Sequence, residues 1–317
     1  VQECPSTACT FTGLTNDVTY TFTVAAHNSA GNGAQSTSVL AAPFIVPDAP
    51  SQLDATPENG QVTLTWTAPD FDGGRPIDYY IVYQDGVALS NHAVGVSVII
   101  DGLNNGQEYS FIVVAHNVAG DSAQSGSVLA TPFTMPDAPS QLEATPGDGQ
   151  VTLTWAAPDF DGGRPIDYYI IYMGGVALPG HPTEPISTIT GLTNGQSYSF
   201  TVAAHNSAGI SPQSVVVESI PFTFSDAPTG LRTILDSGKV TLSWTAPSFD
   251  GGRPIDHYVV YQDGVEIAQT AETTHVVEGL NNGQSYVFSV AANSAAGIGL
   301  ASLPVAAAPS LSIPSSP

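Results

Sequence analysis

The chain has 317 residues, 28 of them acidic and five basic, for a formal net charge of -23. Only 10% of residues are charged and 42% are apolar, so Ser, Thr, Asn, Gln and Gly must cover most of the surface of two or three domains. The lack of clustered cations argues against a nucleic acid or an anionic membrane as partner, and no stretch is long enough to cross a bilayer as a helix.

The chain opens with VQECPSTACTFTGL. That start carries no signal-peptide pattern and already reads as the inside of a fold. Cys4 and Cys9 are the only cysteines. A disulfide between them is the preferred reading, which points to an oxidising compartment. Two free thiols stay open, because Cys9 falls at an inward position of a strand. GLTNDVTY at 13–20 and AHNSAG at 26–31 follow.

From residue 48 onward the chain repeats itself. DAP recurs at 48–50, 137–139 and 226–228, and Trp66, Trp155 and Trp244 keep the same spacing of 89. Gln61–Trp66 alternates Val62, Leu64 and Trp66 with polar residues, the period of a half-buried strand. Asp85-Gly86 and Asp263-Gly264 are tight-hairpin dipeptides. Tyr109, Phe111, Val113 and Ala115 alternate again. GL-x-NG-Q-x-Y recurs at 102–109, 191–198 and 279–286, and AHN-x-AG follows at 115–120 and 204–209. No helical period reaches a useful length, so the expectation is an all-β sandwich architecture.

These motifs in this order resemble the fibronectin type III family: Pro-x-x-Leu, VTLTW, AP-x-FDGG-x-PI-x-YY-x-VY and GL-x-NGQ-x-Y-x-F-x-V-x-A-x-N-x-AG. The resemblance implies tandem immunoglobulin-like β-sandwiches of seven strands in two sheets, arranged as an elongated array. It implies that Trp66, Trp155 and Trp244 are core residues. It implies that Tyr20, Tyr109, Tyr198 and Tyr286 are corner tyrosines whose hydroxyls bond nearby backbone. Domains are expected at 48–136, 137–225 and 226–309, with a Pro/Ser tail at 310–317. Residues 1–47 match only the last three strands of a domain. An excerpt of a longer array is the favoured explanation, and strands supplied by a neighbouring chain the other.

The connectors AAPFIVPDAP, ATPFTMPDAP and SIPFTFSDAP are stiffened by Pro43, Pro132 and Pro221. Each carries an apolar pair: Phe44 with Val46, Phe133 with Met135, Phe222 with Phe224. The fourth repeat has Ser310 and Ser312 there. An apolar pair found only where another domain follows favours packed joints over flexible linkers. The bland reading is that the pair completes its own domain's core.

Three of the five basic residues sit in the octapeptide FDGGRPID, as Arg75, Arg164 and Arg253. The fold resemblance puts this loop at the end facing the preceding domain. The expectation is a loop clamp in which each Arg neutralises Asp72, Asp161 or Asp250 and their neighbours. A sharper version has the Arg also bond the previous domain and set the joint angle. Calcium at Asp70 and Asp72 is disfavoured, since Ser248 replaces the first Asp in the third copy and an arginine already occupies the loop. No metal or other cofactor is expected.

Outward positions of the third strand hold Tyr79 and Tyr83, then Tyr168 and Tyr172, then His257 and Tyr261. This stripe is a candidate glycan-stacking or lateral-packing face, against ordinary cross-strand pairing. His27, His116 and His205 recur singly and read as surface residues. No metalloprotease, phosphate-loop or serine-elbow motif occurs, and no Asn-x-Ser/Thr sequon. The leading expectation is therefore a non-enzymatic extracellular or cell-surface array: a stalk, adhesin segment or filament subunit. Its partners would be neighbouring repeats or other copies of itself. A glycan- or protein-binding module, and spacer repeats of a secreted polysaccharide-degrading enzyme, are the alternatives.

Overall fold

A computed structural model describes residues 1–310. Strands are the only regular elements among them. In residues 48–136 a three-stranded sheet runs Ser51–Glu58, Gln61–Thr67, Ser97–Ile100. The facing sheet runs Gly120–Asp121, Tyr109–Asn117, Tyr79–Gln84, Val87–Ala88, and Val128–Ala130 also pairs with Tyr109–Asn117. The same order repeats in 137–225 and 226–309. The Asp85-Gly86 and Asp263-Gly264 hairpins have positive φ at both residues, the twist a two-residue connection needs.

The last strand of each sandwich is interrupted. Between Gly120–Asp121 and Val128–Ala130 regular pairing stops: Ser122 N and Ser125 N still donate to Ala115 O and Val113 O, but serine hydroxyls replace the backbone acceptors. Ser122 Oγ accepts from Ala115 N and Ser125 Oγ from Val113 N, both at 3.0 Å. Ser211 and Ser214 repeat this at Ala204 and Val202, and Ser302 at Val290.

Each full repeat has its own core. Val62, Leu64, Val82, Phe111 and Val113 are essentially fully buried in the first, with matching sets around Phe200 and Phe288. Trp66 meets Tyr80 edge-on at 5.2 Å, and the same pairing recurs at Trp155 and Trp244. The hydroxyls of Tyr20, Tyr109, Tyr198 and Tyr286 each accept a backbone N–H five residues upstream at 3.0 Å.

Residues 1–47 differ from the expected three strands. Tyr20–Phe22 pairs with Val39–Ala41, and His27–Asn28 with Gly31–Asn32. The stretch around Cys9 forms no strand, because residues 1–47 hold no counterpart of Gln61–Thr67 for it to pair with. Cys9 is exposed rather than inward, and is bonded to Cys4. Val24 is 68% exposed where its equivalent Val113 is 0%. Ser312 and the rest of the tail from 311 lie outside the described residues.

Two compact units emerge from the contacts. One contains Val1–Pro136 together with Phe160–Pro165 and Asn206–Gly209; the other contains Asp137–Asp159, Ile166–His205 and the residues from Ile210 on. The FDGGRP segment of the second repeat thus belongs to the same compact unit as the first repeat.

Candidate functional site: the inter-repeat joint

The connector is first anchored to the domain it leaves. Gly106 N donates to Pro132 O at 2.8 Å and Phe133 N to Glu58 O at 3.3 Å. Gly195 and Phe222 bond Pro221 O and Gly147 O in the same way. The Phe ring then faces the octapeptide of the following repeat. Arg75 lies 4.6 Å over Phe44, Arg164 4.6 Å over Phe133, and Arg253 4.7 Å over Phe222. A guanidinium on an aromatic face gains quadrupole attraction and covers apolar surface at once.

This corrects the expected clamp. Among the described residues no arginine forms an ion pair with Asp72, Asp161 or Asp250. Those carboxylates instead accept from Gly74 N, Gly163 N and Gly252 N at 2.8 Å. Each Asp closes its own turn, which leaves the Arg free to reach the Phe. Phe133 and Phe222 are absent from the core clusters of their own domains.

The two glycines do more than permit a turn. Gly73, Gly162 and Gly251 have φ near +82°. A Cβ on any of them would collide with the carbonyl of Ile45, Thr134 or Thr223 in the connector. Their own carbonyls accept from the N–H of those residues at 2.9, 2.8 and 2.8 Å. The next glycine packs on the preceding repeat's turn: a Cβ on Gly163 would lie 2.7 Å from Gly106 Cα, one on Gly252 2.7 Å from Gly195 Cα, and one on Gly74 3.1 Å from Asp17. Close backbone approach of this kind admits only glycine.

Two asparagines that the sequence did not single out complete the first two joints. Asn117 is fully buried. Its Nδ2 donates to Ile45 O at 2.9 Å and Asp72 O at 2.8 Å, while Oδ1 accepts from Ala119 N at 2.8 Å. Asn206 does the same to Thr134 O, Asp161 O and Ala208 N, each at 2.8 Å. Val46 packs on Gly120, Met135 on Gly209 and Phe224 on Gly297. The signal in the sequence is the recurring AHN-x-AG motif, which carries Asn117 and Asn206.

The aromatic stripe is not an open platform in the first two repeats. Tyr79 is sandwiched between His92 at 4.2 Å and His116 at 4.4 Å. Tyr168 is sandwiched between His181 at 4.5 Å and His205 at 4.4 Å. Both faces of each ring are occupied, so neither can stack a sugar in this arrangement. His116 and His205 are thus ring partners as well as surface residues, with Nδ1 at 2.6 Å from Asp121 and 3.1 Å from Asp167. Tyr83, Tyr172 and Tyr261 stay half-buried. Among the described residues no three His, Cys, Asp or Glu side chains converge as metal ligands.

The repeat pattern matches the model described as "Fibronectin type III domain" over residues 48–131, 137–220 and 226–308. The chain belongs to the fibronectin type III family. It is 29% identical over 288 residues to Myomesin-2 of Homo sapiens, covering 80% of this chain and 20% of that protein. It is 29% identical to Exoglucanase B of Cellulomonas fimi, over 86% of this chain and 25% of the other. It is 30% identical to the striated-muscle M-protein of Gallus gallus, over 81% and 20%. The chain therefore spans a fifth to a quarter of the length of these relatives.

Proposed function

We propose that this fibronectin type III array is a non-enzymatic, extracellular or cell-surface structural element with semi-rigid joints: a stalk, adhesin segment or filament subunit. One observation carries the reading. The same Arg-on-Phe stack, at 4.6, 4.6 and 4.7 Å, recurs at all three connectors with a glycine docked on the connector backbone. A chain with five basic residues invests three of them in joints, which suits a role in which repeat-to-repeat geometry matters. The Cys4–Cys9 disulfide supports an oxidising compartment. Its partners would be neighbouring repeats or other copies of the chain.

Replacing Phe133 and Met135 together by Ser tests the reading. Neither side chain belongs to a core cluster, so both flanking domains should keep their cooperative unfolding. Small-angle scattering should register a broader distribution of chain dimensions. An unchanged scattering profile would count against the proposal.

A second reading has one observation in its favour. The resemblance to Exoglucanase B over most of this chain fits spacer repeats within a secreted polysaccharide-degrading enzyme. The joint geometry serves a spacer as well as a stalk.

A further inference from the structure

The three joints share their Arg, Phe and glycines, and the third departs from the first two at three serines, Ser225, Ser294 and Ser248. In the first two, the connector ends in a second proline, Pro47 or Pro136; in the third that residue is Ser225. The buried asparagine of the first two, Asn117 or Asn206, is Ser294 in the third. Ser294 is just as buried, at 4%, and its hydroxyl keeps the turn bond by accepting from Ala296 N at 3.2 Å. It has no amide to send across the joint. The two Nδ2 bonds of 2.8–2.9 Å that tie connector to loop at Asn117 have no counterpart there. Two bonds offset part of the loss: Ser248 Oγ, where the first two joints carry Asp70 and Asp159, donates to Asp226 Oδ2 at 3.3 Å, and buried Ser225 donates to Ala292 O at 3.5 Å, with Gly299 making the room for it. The second is at the outer limit of hydrogen-bond length.

Packing at the third joint agrees. The outer apolar residue of the connector is 38% exposed at Val46, 48% at Met135 and 58% at Phe224. Losing a proline adds conformers to an undocked connector. Losing an amide that bridges two carbonyls weakens the docked state.

We infer that Asn117 and Asn206 are joint latches, and that the third joint, lacking both latch and second proline, is the compliant hinge of this chain. The inference rests on the packed-joint reading above and grades it. Its test is amide hydrogen exchange on the full chain, read by nuclear magnetic resonance at the three connector amides bonded to the following loop: Ile45, Thr134 and Thr223. Thr223 should exchange roughly tenfold faster than Thr134, the effect of about one lost hydrogen bond. Asn206→Ser with Pro136→Ser should bring Thr134 to the rate of Thr223 while the core amide of Val202 stays protected. Ser294→Asn with Ser225→Pro should slow Thr223. A Thr223 amide as slow as Thr134 in the native chain, or unmoved by the gain-of-latch variant, overturns the hinge alone. Free exchange at all three connectors overturns the joint reading as well.

Discussion

Gly162 shows how much chemistry one hydrogen atom can carry. Its φ of +82° already disfavours any L side chain, yet the tighter constraint is the Thr134 carbonyl occupying the place of a Cβ. Gly175 separates the two effects, because it has φ +81° and nothing within 4 Å. Gly175→Ala should cost about 1 kcal/mol from backbone conformation. Gly162→Ala should cost roughly 2–4 kcal/mol once the steric term is added, and should also undock the connector. Calorimetry of the two variants, with exchange at Thr134 as a second readout, checks this. Equal losses for the two would remove the role given to close approach. That this glycine is a contact surface was not legible in the sequence, since the atom it makes room for is almost thirty residues away.

At the scale of the strand, the interrupted edge is where local sequence was least informative. Between Asp121 and Val128 the regular ladder is broken, although Ser122 N and Ser125 N still donate to Ala115 O and Val113 O. The hydroxyls nevertheless continue the hydrogen bonding, with Ser125 Oγ accepting from the buried Val113 N. Ser125→Ala strands that N–H in the core, and a stranded buried donor costs about 1–3 kcal/mol. A fall of that size in the denaturation midpoint of the first full repeat is the expected result. Ser302→Ala, at the equivalent position, should act equally on the third. The arrangement also blunts an exposed sheet edge, since a broken ladder is a poor template for a foreign strand.

Across the whole molecule, three independent cores carry the same titratable group. Tyr80, Tyr169 and Tyr258 are at most 5% exposed. Burial pushes each hydroxyl above its ordinary value of 10.0; Glu184 adds to this at Tyr169, and Trp66 opposes it slightly at Tyr80. The folded state therefore holds these protons longer than the unfolded chain. The stability they represent is fully present below pH 10 and is lost as pH rises through the folded values. Alkaline unfolding should follow, with tyrosinate absorbance and loss of β signal rising together. The variant with Tyr80→Phe, Tyr169→Phe and Tyr258→Phe should resist higher pH. Parallel alkaline curves for the two proteins would refute this assignment.

What the amino-acid sequence determined by itself was everything that depends on local period and on repetition. Alternation places Val62, Leu64 and Trp66 on one face whatever lies opposite. The 89-residue spacing of the tryptophans makes each repeat a domain, and the corner tyrosines sit five residues from their partners. Tertiary structure decided what the joint residues touch. Arg164 had aspartates beside it in the chain and a phenylalanine opposite it in space. It took the phenylalanine, because a planar weakly hydrated cation gains from an aromatic face while the Asp161 carboxylate was already held by the Gly163 amide. Asn206 looked like one more polar turn residue until folding brought two carbonyls, 45 and 72 residues away in the chain, within reach of one amide. Such a pairing leaves no periodic trace, because its cause is the approach of two backbones rather than the preference of either.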